Sequence, residues 1–230
     1  MQAASNAYIT GRGVVSAIGI GKKAFSSSLQ QSKQVFSTLK REHRQHAQSH
    51  FIGAEINTAD LSAALVDYKD MIRTLSFSAK AALVAVDEAV SEANLSSQKS
   101  RDRIGIIIGG TNLQQRQWIG LQEHYQQKPH FLRPHYGFAY LDSDLLGVLT
   151  EAFNIQGESY VLGGASASGQ MAIIHAARLV QTGVLDTVIA LGALSDLSYW
   201  ECQGLTAIGA MAECPENHSP VEVCRPFDQA

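Results

Sequence analysis

The sequence predicts an α/β fold in which a sheet lies between layers of helices. Residues 103–111, RIGIIIGGT, form a near-continuous apolar run, which is typical of a strand buried on both faces of its sheet. Residues 74–94 place apolar side chains at helical spacing on one face. Strand-like and helix-like segments then alternate along the chain, as they do where helices cover a parallel or mixed sheet.

The N-terminal third of the chain contains the clearest predicted helix. AYITGRGVVSAIG (7–19) predicts a strand that runs into a glycine-rich turn, and a short helix is expected near KKAFSSSLQQ. Residues 32–57 are polar and irregular, which indicates a surface excursion. Thr74 can cap the helix over 74–94. Its apolar stripe comprises Leu75, Ala79, Ala82, Leu83, Val86, Val90 and Ala93.

The alternation continues towards the C-terminus. LQQRQWIGLQEHY (113–125) and DSDLLGVLTEAF (142–153) predict two helices, the second with an acidic first turn. The strand ESYVLG (158–163), a helix over 167–182 and the strand TVIALGAL (187–194) follow.

Composition limits the function classes. Of the 230 residues, 45% are apolar and 17% are charged, so the chain can bury a substantial core. The net charge of −3 provides no electrostatic basis for a nucleic-acid or membrane partner. No apolar run approaches the roughly 18 residues of a transmembrane helix. The N-terminus lacks the basic and apolar regions of a secretory signal, and the three cysteines are expected as free thiols in a reduced cytoplasm.

Three short patterns are better explained without a ligand. GRGVVS (11–16) lacks the third glycine and the later acidic residue of a dinucleotide loop, so we expect a tight turn. IGIGKK is not a phosphate loop, because Ser16 occupies the position of its first glycine. Three histidines lie between residues 43 and 50 without acidic or cysteine ligands in a metal-binding pattern, so we expect a solvated loop and no metal site.

Ser166 is the main candidate for chemistry. It lies in VLGGASASG, between a predicted strand and a predicted helix, where backbone N–H groups and the helix dipole stabilise an oxyanion. The alternative is that Ser166 or Ser168 only caps the helix. A serine-hydrolase elbow is incomplete, because Ser168 occupies its final glycine position and no acid and histidine follow in the hydrolase order.

The segment ESYVLGGASASGQMAIIHAARLVQTG (158–183) resembles the nucleophile segment of β-ketoacyl synthases, with Ser166 at the position of their cysteine and Gly169 at their later glycine. YITGRGVVSAIG, RIGIIIGGT, VIALGAL and CRPFD resemble further segments of that family. The resemblance implies a thiolase-like, layered α-β-α-β-α fold, with residues 1–230 forming the N-terminal half and a mixed five-stranded sheet between helix layers. The family continues for a second half that carries two catalytic histidines.

The resemblance also implies a function. A serine is a poor acyl acceptor compared with a thiol, so condensation should be lost, whereas decarboxylation needs only binding and enolate stabilisation. GGASASG and GALSDLSYWECQGLTAIGAM (192–211) are similar to the serine-bearing decarboxylases of polyketide β-branching cassettes, which convert malonyl-acyl carrier protein to acetyl-acyl carrier protein. The alternatives are a non-catalytic chain-length-factor-like partner and an acyltransferase that uses Ser166. The implied site comprises Ser166 with Ala165, Ala167, Ser168 and Gly169.

The resemblance implies partners as well. The substrate arrives on the phosphopantetheine of an acyl carrier protein, with no cofactor of the enzyme's own. A homodimer is expected through the strand ESYVL, and a C-terminal half or a second polypeptide is expected for activity. Cys202 is expected to be an inert thiol without a helix N-terminus or a basic neighbour, and His175 to pack inside the helix layer. Arg225 and Asp228 are expected to make structural contacts.

Overall fold

Helices and strands alternate along the chain in the computed structural model, which describes residues 6–95, 100–134, 136–137, 142–212, 214–215 and 217–225. The helices are α1 (Lys22–Gln30), α2 (Thr58–Ala64), α3 (Phe77–Glu92), α4 (Gln115–Tyr125), α5 (Ser143–Ala152), α6 (Ser168–Gln181), α7 (Tyr199–Ala207) and α8 (Pro220–Val223). The strands are β1 (Val15–Ser16), β2 (Gly19–Ile20), β3 (Ser37–Thr38), β4 (Ile52–Gly53), β5 (Ile104–Gly109), β6 (Ser159–Leu162) and β7 (Thr187–Gly192).

Strand β5 is the centre of a parallel three-stranded sheet with the order β6-β5-β7. All six of its residues are buried. Ile106 and Ile108 pack in the main core with residues of α3 and α5, whereas Ile107 packs on the other face against Ala172 and Ala176 of α6. Because helices cover both faces, every position of the strand can be apolar. The predicted strand with two buried faces is confirmed.

The described sheet differs from the expected mixed five-stranded sheet in size and direction. Within the described ranges it has three strands, all parallel, and the four remaining short strands form two antiparallel hairpins, β1-β2 and β3-β4. The predicted strand in AYITGRGVVSAIG is therefore wrong over its first half, since regular pairing begins only at Val15.

The N-terminal segment lies along α3 instead of pairing in a sheet. The Glu92 carboxylate accepts the Arg12 backbone N–H at 2.6 Å, and the Glu88 carboxylate accepts those of Val14 and Lys22 at 3.1 and 2.8 Å. These carboxylates take the place of a neighbouring strand as hydrogen-bond partners. A strand-like pattern in the sequence does not reveal that side-chain carboxylates, and not a neighbouring strand, accept these hydrogen bonds.

Two glycines make this contact possible. A Cβ added at Gly11 would lie 2.1 Å from the Ala89 carbonyl oxygen, and one added at Gly13 would lie 1.8 Å from that of Ala85. The glycines of GRGVVS therefore allow a close approach of two backbones, and the expected tight turn at these positions is wrong.

Helix α3 begins two residues later than predicted. Ser76, not Thr74, is the N-cap, and its hydroxyl accepts the Ala79 N–H at 3.1 Å. The helix otherwise follows the prediction. Four members of its apolar stripe are buried in the main core, and the other three pack against that core.

The polar excursion over 32–57 is more ordered than a surface loop. Its hairpin β3-β4 encloses Leu39 and Phe51, which are buried together with Cys202. Arg44 is also buried, at 8% exposure. The expectation of a surface excursion is therefore wrong for these side chains, because the hairpin packs on the segment around α7.

The structure can be searched for a metal site and for a membrane-spanning helix only within the described ranges. Among these residues, no group of histidine, cysteine, aspartate or glutamate side chains is arranged to hold a metal ion. Their helices also include none with the length and apolar character needed to cross a membrane.

The contact of Gly13 with α3 gives the first testable prediction. Gly13→Ala forces the N-terminal segment away from the Ala85 carbonyl, and we expect a loss of about 1–3 kcal/mol in the free energy of unfolding, as for other overpacked sites. Urea unfolding measures it. Gly147→Ala is the control, because Gly147 is exposed within α5 with open space at its Cβ and should gain about 0.5–1 kcal/mol. A neutral Gly13→Ala would contradict the close packing described.

Glu92 gives a second prediction. Hydrogen bonds from the Lys22 and Arg12 side chains and from the Arg12 backbone lower the pKa of Glu92 to about 2. Since the folded-state pKa is depressed, the stabilisation is present above the unfolded-state pKa of about 4.3 and is lost as the pH falls towards 2. Urea midpoints measured across this window should fall less steeply for Glu92→Gln than for wild type. Glu151→Gln, an exposed carboxylate of α5, is the control; equal slopes for all three proteins would exclude this contribution.

Candidate functional site

Ser166 lies at the carboxyl edge of the sheet, between β6 and α6. The parallel strands end in register, with Gly109 opposite both Leu162 and Gly192. After β6 the chain passes through two glycines into a 3₁₀ turn, Ala165–Ala167, which leads directly into α6. Ser166 is exposed at the centre of this turn. The predicted position of Ser166 at the start of a long helix is therefore confirmed.

The turn from Gly164 to Ser168, which we name the elbow, has an unusual backbone. Ala165 has φ +47°, in the left-handed region that side chains with a Cβ rarely adopt. The Ser168 hydroxyl accepts the Gly164 N–H at 2.9 Å and donates to the Ala165 carbonyl at 2.8 Å. The Ala167 N–H donates to the Gly164 carbonyl at 2.9 Å. Hydrogen bonds between the first and the last residues of the elbow thus hold it as a closed turn.

Neither serine acts as the helix cap. The N-cap position of α6 is Ala167, and no side chain makes a capping hydrogen bond there. The Ser168 hydroxyl bonds backwards to the elbow, whereas a capping hydroxyl accepts an N–H group further along the helix. The capping alternative for Ser166 and Ser168 is therefore wrong.

The five residues of the predicted site differ in what they present to solvent. Ala165, Ser166 and Ala167 are exposed, and Gly169 is half-buried. Ser168 is buried, at 8% exposure. A ligand at this edge can therefore reach the first three residues directly, while the Ser168 hydroxyl faces the protein.

Close packing brings α6 down onto the end of the sheet. A Cβ added at Gly109, the last residue of β5, would lie 2.2 Å from the Ser168 carbonyl oxygen. The helix backbone therefore rests directly on the strand backbone, which holds the helix N-terminus at the edge where three strands end. A long helix presents the positive end of its dipole at such a terminus, a suitable environment for developing negative charge.

The loop that follows β5 is also anchored. The Asp142 carboxylate accepts the Leu113 N–H at 3.0 Å. Burial raises the pKa of Asp142 above its ordinary value, and hydrogen bonds from the backbone of Leu113 and Asn112 oppose that rise. Asp142, the residue that directly precedes α5, thus holds the loop that follows β5.

Two other expected residues have structural positions. His175 is half-buried on α6, and its Nδ1 lies 3.3 Å from the Tyr160 hydroxyl, which agrees with packing between helix and sheet. Cys202 is 1% exposed, and burial raises the pKa of its thiol, which disfavours the reactive thiolate. Cys202 does lie in the first turn of α7 and feels the charge of Arg44, so the expected lack of a helix N-terminus and a basic neighbour is wrong.

The start of α7 has a signal that is visible in the sequence. Ser198 and Glu201 form a capping box, in which each side chain bonds the backbone at the other's position. The pattern SYWE carries this spacing directly. Asp228 lies outside the described residues, and the Arg225 backbone N–H donates to the Val223 carbonyl at 3.0 Å.

A buried carboxylate, Asp196, joins the elements around this edge. It is 1% exposed, and the side chains of two arginines donate hydrogen bonds to it. Arg116 of α4 donates from Nε and Nη2 at distances of 2.8 to 3.0 Å, and Arg44 donates from Nη2 at 2.8 Å. Its backbone N–H donates to Leu113 and its carbonyl accepts from Arg116, both at 2.9 Å. Sequence reasoning missed this cluster, because its members lie 80 and 152 residues apart.

A third arginine completes the cluster. The Arg41 guanidinium lies 3.9 Å from both Asp196 and Glu55 and 3.7 Å from the centre of the Phe77 ring. Burial and the neighbouring Arg44 lower the pKa of Arg41. Asp196 thereby ties the excursion over 32–57 to α3, to α4 and to the chain that follows β7.

Comparison with known proteins agrees with this fold. A family model described as the β-ketoacyl synthase N-terminal domain matches residues 5–230. The chain belongs to the β-ketoacyl synthase family, and the thiolase-like class expected from the Ser166 segment is confirmed.

Individual relatives are as follows. The polyketide biosynthesis malonyl-ACP decarboxylase PksF of Bacillus subtilis is 49% identical over 221 residues, which are 96% of this chain and 52% of that protein. The tetracenomycin polyketide synthase ketoacyl synthase beta subunit of Streptomyces glaucescens is 25% identical, over 99% of this chain and 55% of its own. The solved ishigamide ketosynthase/chain length factor shares the fold with a TM-score of 0.73 at 18% identity, over 93% of this chain and 53% of its own. The chain thus spans about half the length of these proteins.

Asp196 gives the third prediction. Asp196→Asn removes the buried negative charge between the buried Arg44 and the half-buried Arg116 guanidinium groups, and we expect a loss of about 3–5 kcal/mol in the free energy of unfolding. The control is Asp186→Asn, which breaks the exposed Asp186–Arg103 pair and should destabilise the protein much less, because solvent screens that pair. Urea unfolding of both variants measures the difference. Equal small losses would show that Asp196 contributes no more than a surface ion pair.

Proposed function

We propose that the complete protein decarboxylates malonyl-acyl carrier protein to acetyl-acyl carrier protein in polyketide biosynthesis, without condensation. The observation that carries the proposal is Ser166, a hydroxyl at the elbow where the resemblance places a nucleophilic cysteine. The 49% identity to a protein named malonyl-ACP decarboxylase supports it.

The chemistry of a hydroxyl separates the two reactions. Condensation requires an acyl group on the enzyme, and an alcohol accepts one only with a strong base held beside it. Decarboxylation requires no covalent intermediate. It requires a site that binds the thioester and stabilises negative charge on its oxygen more strongly in the transition state than in the ground state.

The bond between the malonyl carboxylate and Cα breaks, CO2 leaves, and the electron pair moves onto the thioester as an enolate. Backbone N–H groups beside Ser166 and the positive end of α6 stabilise the enolate oxygen. Protonation at Cα then gives the acetyl thioester. Ser166 acts as a small hydrogen-bonding group beside the carbonyl, with Ala165 and Ala167 leaving room for the substrate.

Partners follow from the same proposal. The malonyl group arrives on the phosphopantetheine of an acyl carrier protein. The resemblance implies that the catalytic histidines lie in a second half, which either one longer chain or a second polypeptide supplies; that this chain spans about half the length of its relatives supports this part of the proposal. A homodimer forms through β6, which is an edge strand of the described sheet. We place the protein in the cytoplasm, in agreement with its three free thiols.

A second candidate is a non-catalytic subunit that supports an active ketosynthase. The 25% identity to a ketoacyl synthase beta subunit over nearly the whole chain favours it. The third candidate is acyl transfer through Ser166, whose exposed hydroxyl is accessible to a thioester.

The fourth prediction separates the three candidates. Malonyl-acyl carrier protein is incubated with the complete protein and followed by intact-protein mass spectrometry, for wild type, Ser166→Ala and Ser166→Cys. We expect loss of CO2 with wild type, no acyl adduct on the enzyme, and a rate for Ser166→Ala within about tenfold of wild type, since only one hydrogen bond is lost.

The other outcomes contradict the decarboxylase. A stable acyl adduct on Ser166 that transfers onward identifies a transferase. Absence of turnover in every complete variant identifies the non-catalytic subunit. The 230-residue chain alone is included as a further sample, and its full activity would contradict the proposed need for a second half.

A further inference from the structure

We infer that Ser168 is a positioning residue: its hydroxyl holds the elbow in the conformation that keeps Ser166 at the N-terminus of α6. The inference rests on the proposed function only in taking Ser166 as the centre of the site. It concerns a residue that the resemblance assigned to the substrate and oxyanion region.

The hydrogen bonds of Ser168 are those of a clamp. Its hydroxyl accepts the Gly164 N–H at 2.9 Å and donates to the Ala165 carbonyl at 2.8 Å, so it joins the first two residues of the elbow to the last. Ser166 lies between these attachment points. The side chain of Ser168 is buried, and its hydroxyl makes both bonds to the protein rather than to solvent.

The backbone of the elbow needs such a clamp. Ala165 adopts φ +47°, which is unfavourable for a residue with a Cβ and persists only where surrounding contacts enforce it. The carbonyl that accepts the Ser168 hydroxyl belongs to this same residue, and the Ser168 N–H also donates to it. Two donors from one residue therefore fix the orientation of the peptide that directly precedes Ser166.

The clamp is itself anchored to the sheet. A Cβ added at Gly109 would lie 2.2 Å from the Ser168 carbonyl oxygen, which is too close for any side chain there. Ser168 cannot shift towards β5, so its hydroxyl transmits the position of the strand end to the elbow. Loss of the hydroxyl leaves α6 in place but releases the peptide groups that precede Ser166.

The test uses a thiol at position 166 as a reporter in the complete protein. In a Ser166→Cys background, the rate of iodoacetamide alkylation at position 166 is measured by peptide mass spectrometry from about pH 5.5 to 9.5, which separates it from the natural cysteines. A helix N-terminus lowers the pKa of a thiol, so the midpoint of this profile reports how well the elbow holds the side chain there.

Adding Ser168→Ala should lower the alkylation rate near pH 7 by about threefold to tenfold and move the midpoint of the pH profile to higher pH. Ser168→Thr keeps the hydroxyl and should therefore retain the pH profile of the Ser166→Cys protein. Ser28→Ala is the matched control. Ser28 has similar burial, 9% exposure, and its hydroxyl donates to the Ile18 carbonyl at 2.6 Å, away from the elbow. Its removal should leave the profile unchanged.

A lowered melting temperature with an unchanged alkylation profile for Ser168→Ala would assign Ser168 a structural role only and overturn the inference. A second measurement covers the case in which Ser168→Ala does not fold. Hydrogen exchange of the Gly164 amide in the wild type should be protected, because its only described acceptor is the Ser168 hydroxyl. Free exchange of that amide would also overturn the inference. Neither readout depends on decarboxylation, so the proposed function can fail independently.

Discussion

The contact between the end of β5 and the first turn of α6 is the constraint on which the rest of this structure depends. Gly109 has no side chain, and the Ser168 carbonyl takes that space. The helix can therefore begin at the sheet edge itself rather than one side-chain layer above it. The elbow, with its left-handed Ala165, is the short connection that this close approach demands of the chain after β6.

Two kinds of interaction hold the edge together. Apolar packing on both faces of β5 fixes the sheet between helices, and it requires only residues of the right character at the right spacing. The Asp196 cluster fixes the connections beyond the strand ends, and it requires particular charges in particular places. Buried ion pairs contribute little to net stability compared with apolar residues of similar size, but they tolerate few alternative arrangements. The cluster thus specifies how the peripheral segments join the core.

Elements with a regular local sequence pattern were predictable from the sequence, whereas contacts between residues far apart in the sequence were not. The apolar run over 103–111 and the stripe on α3 predicted buried elements because spacing reports burial directly. The junction at Ser166 was predictable because a strand and a helix meet there across small residues. Asp196 was not, since nothing near it in the sequence indicates that arginines from two distant segments surround it. The N-terminal strand failed for a related reason, because carboxylates of α3 replaced the strand partner that its pattern led us to expect.

The strand order has a consequence for how the chain acquires this structure. β5 is the central strand of the sheet, but it precedes both of its neighbours in the sequence, and Ile108 pairs with Val161 on one side and with Leu191 on the other. During synthesis the most apolar strand therefore emerges first and has both edges open until β6 and then β7 have been made. Such non-local pairing slows folding, and an open apolar strand can pair with other chains in the meantime. The efficiency of folding will depend on how quickly α3 and α5 cover one face of β5 before its neighbours arrive.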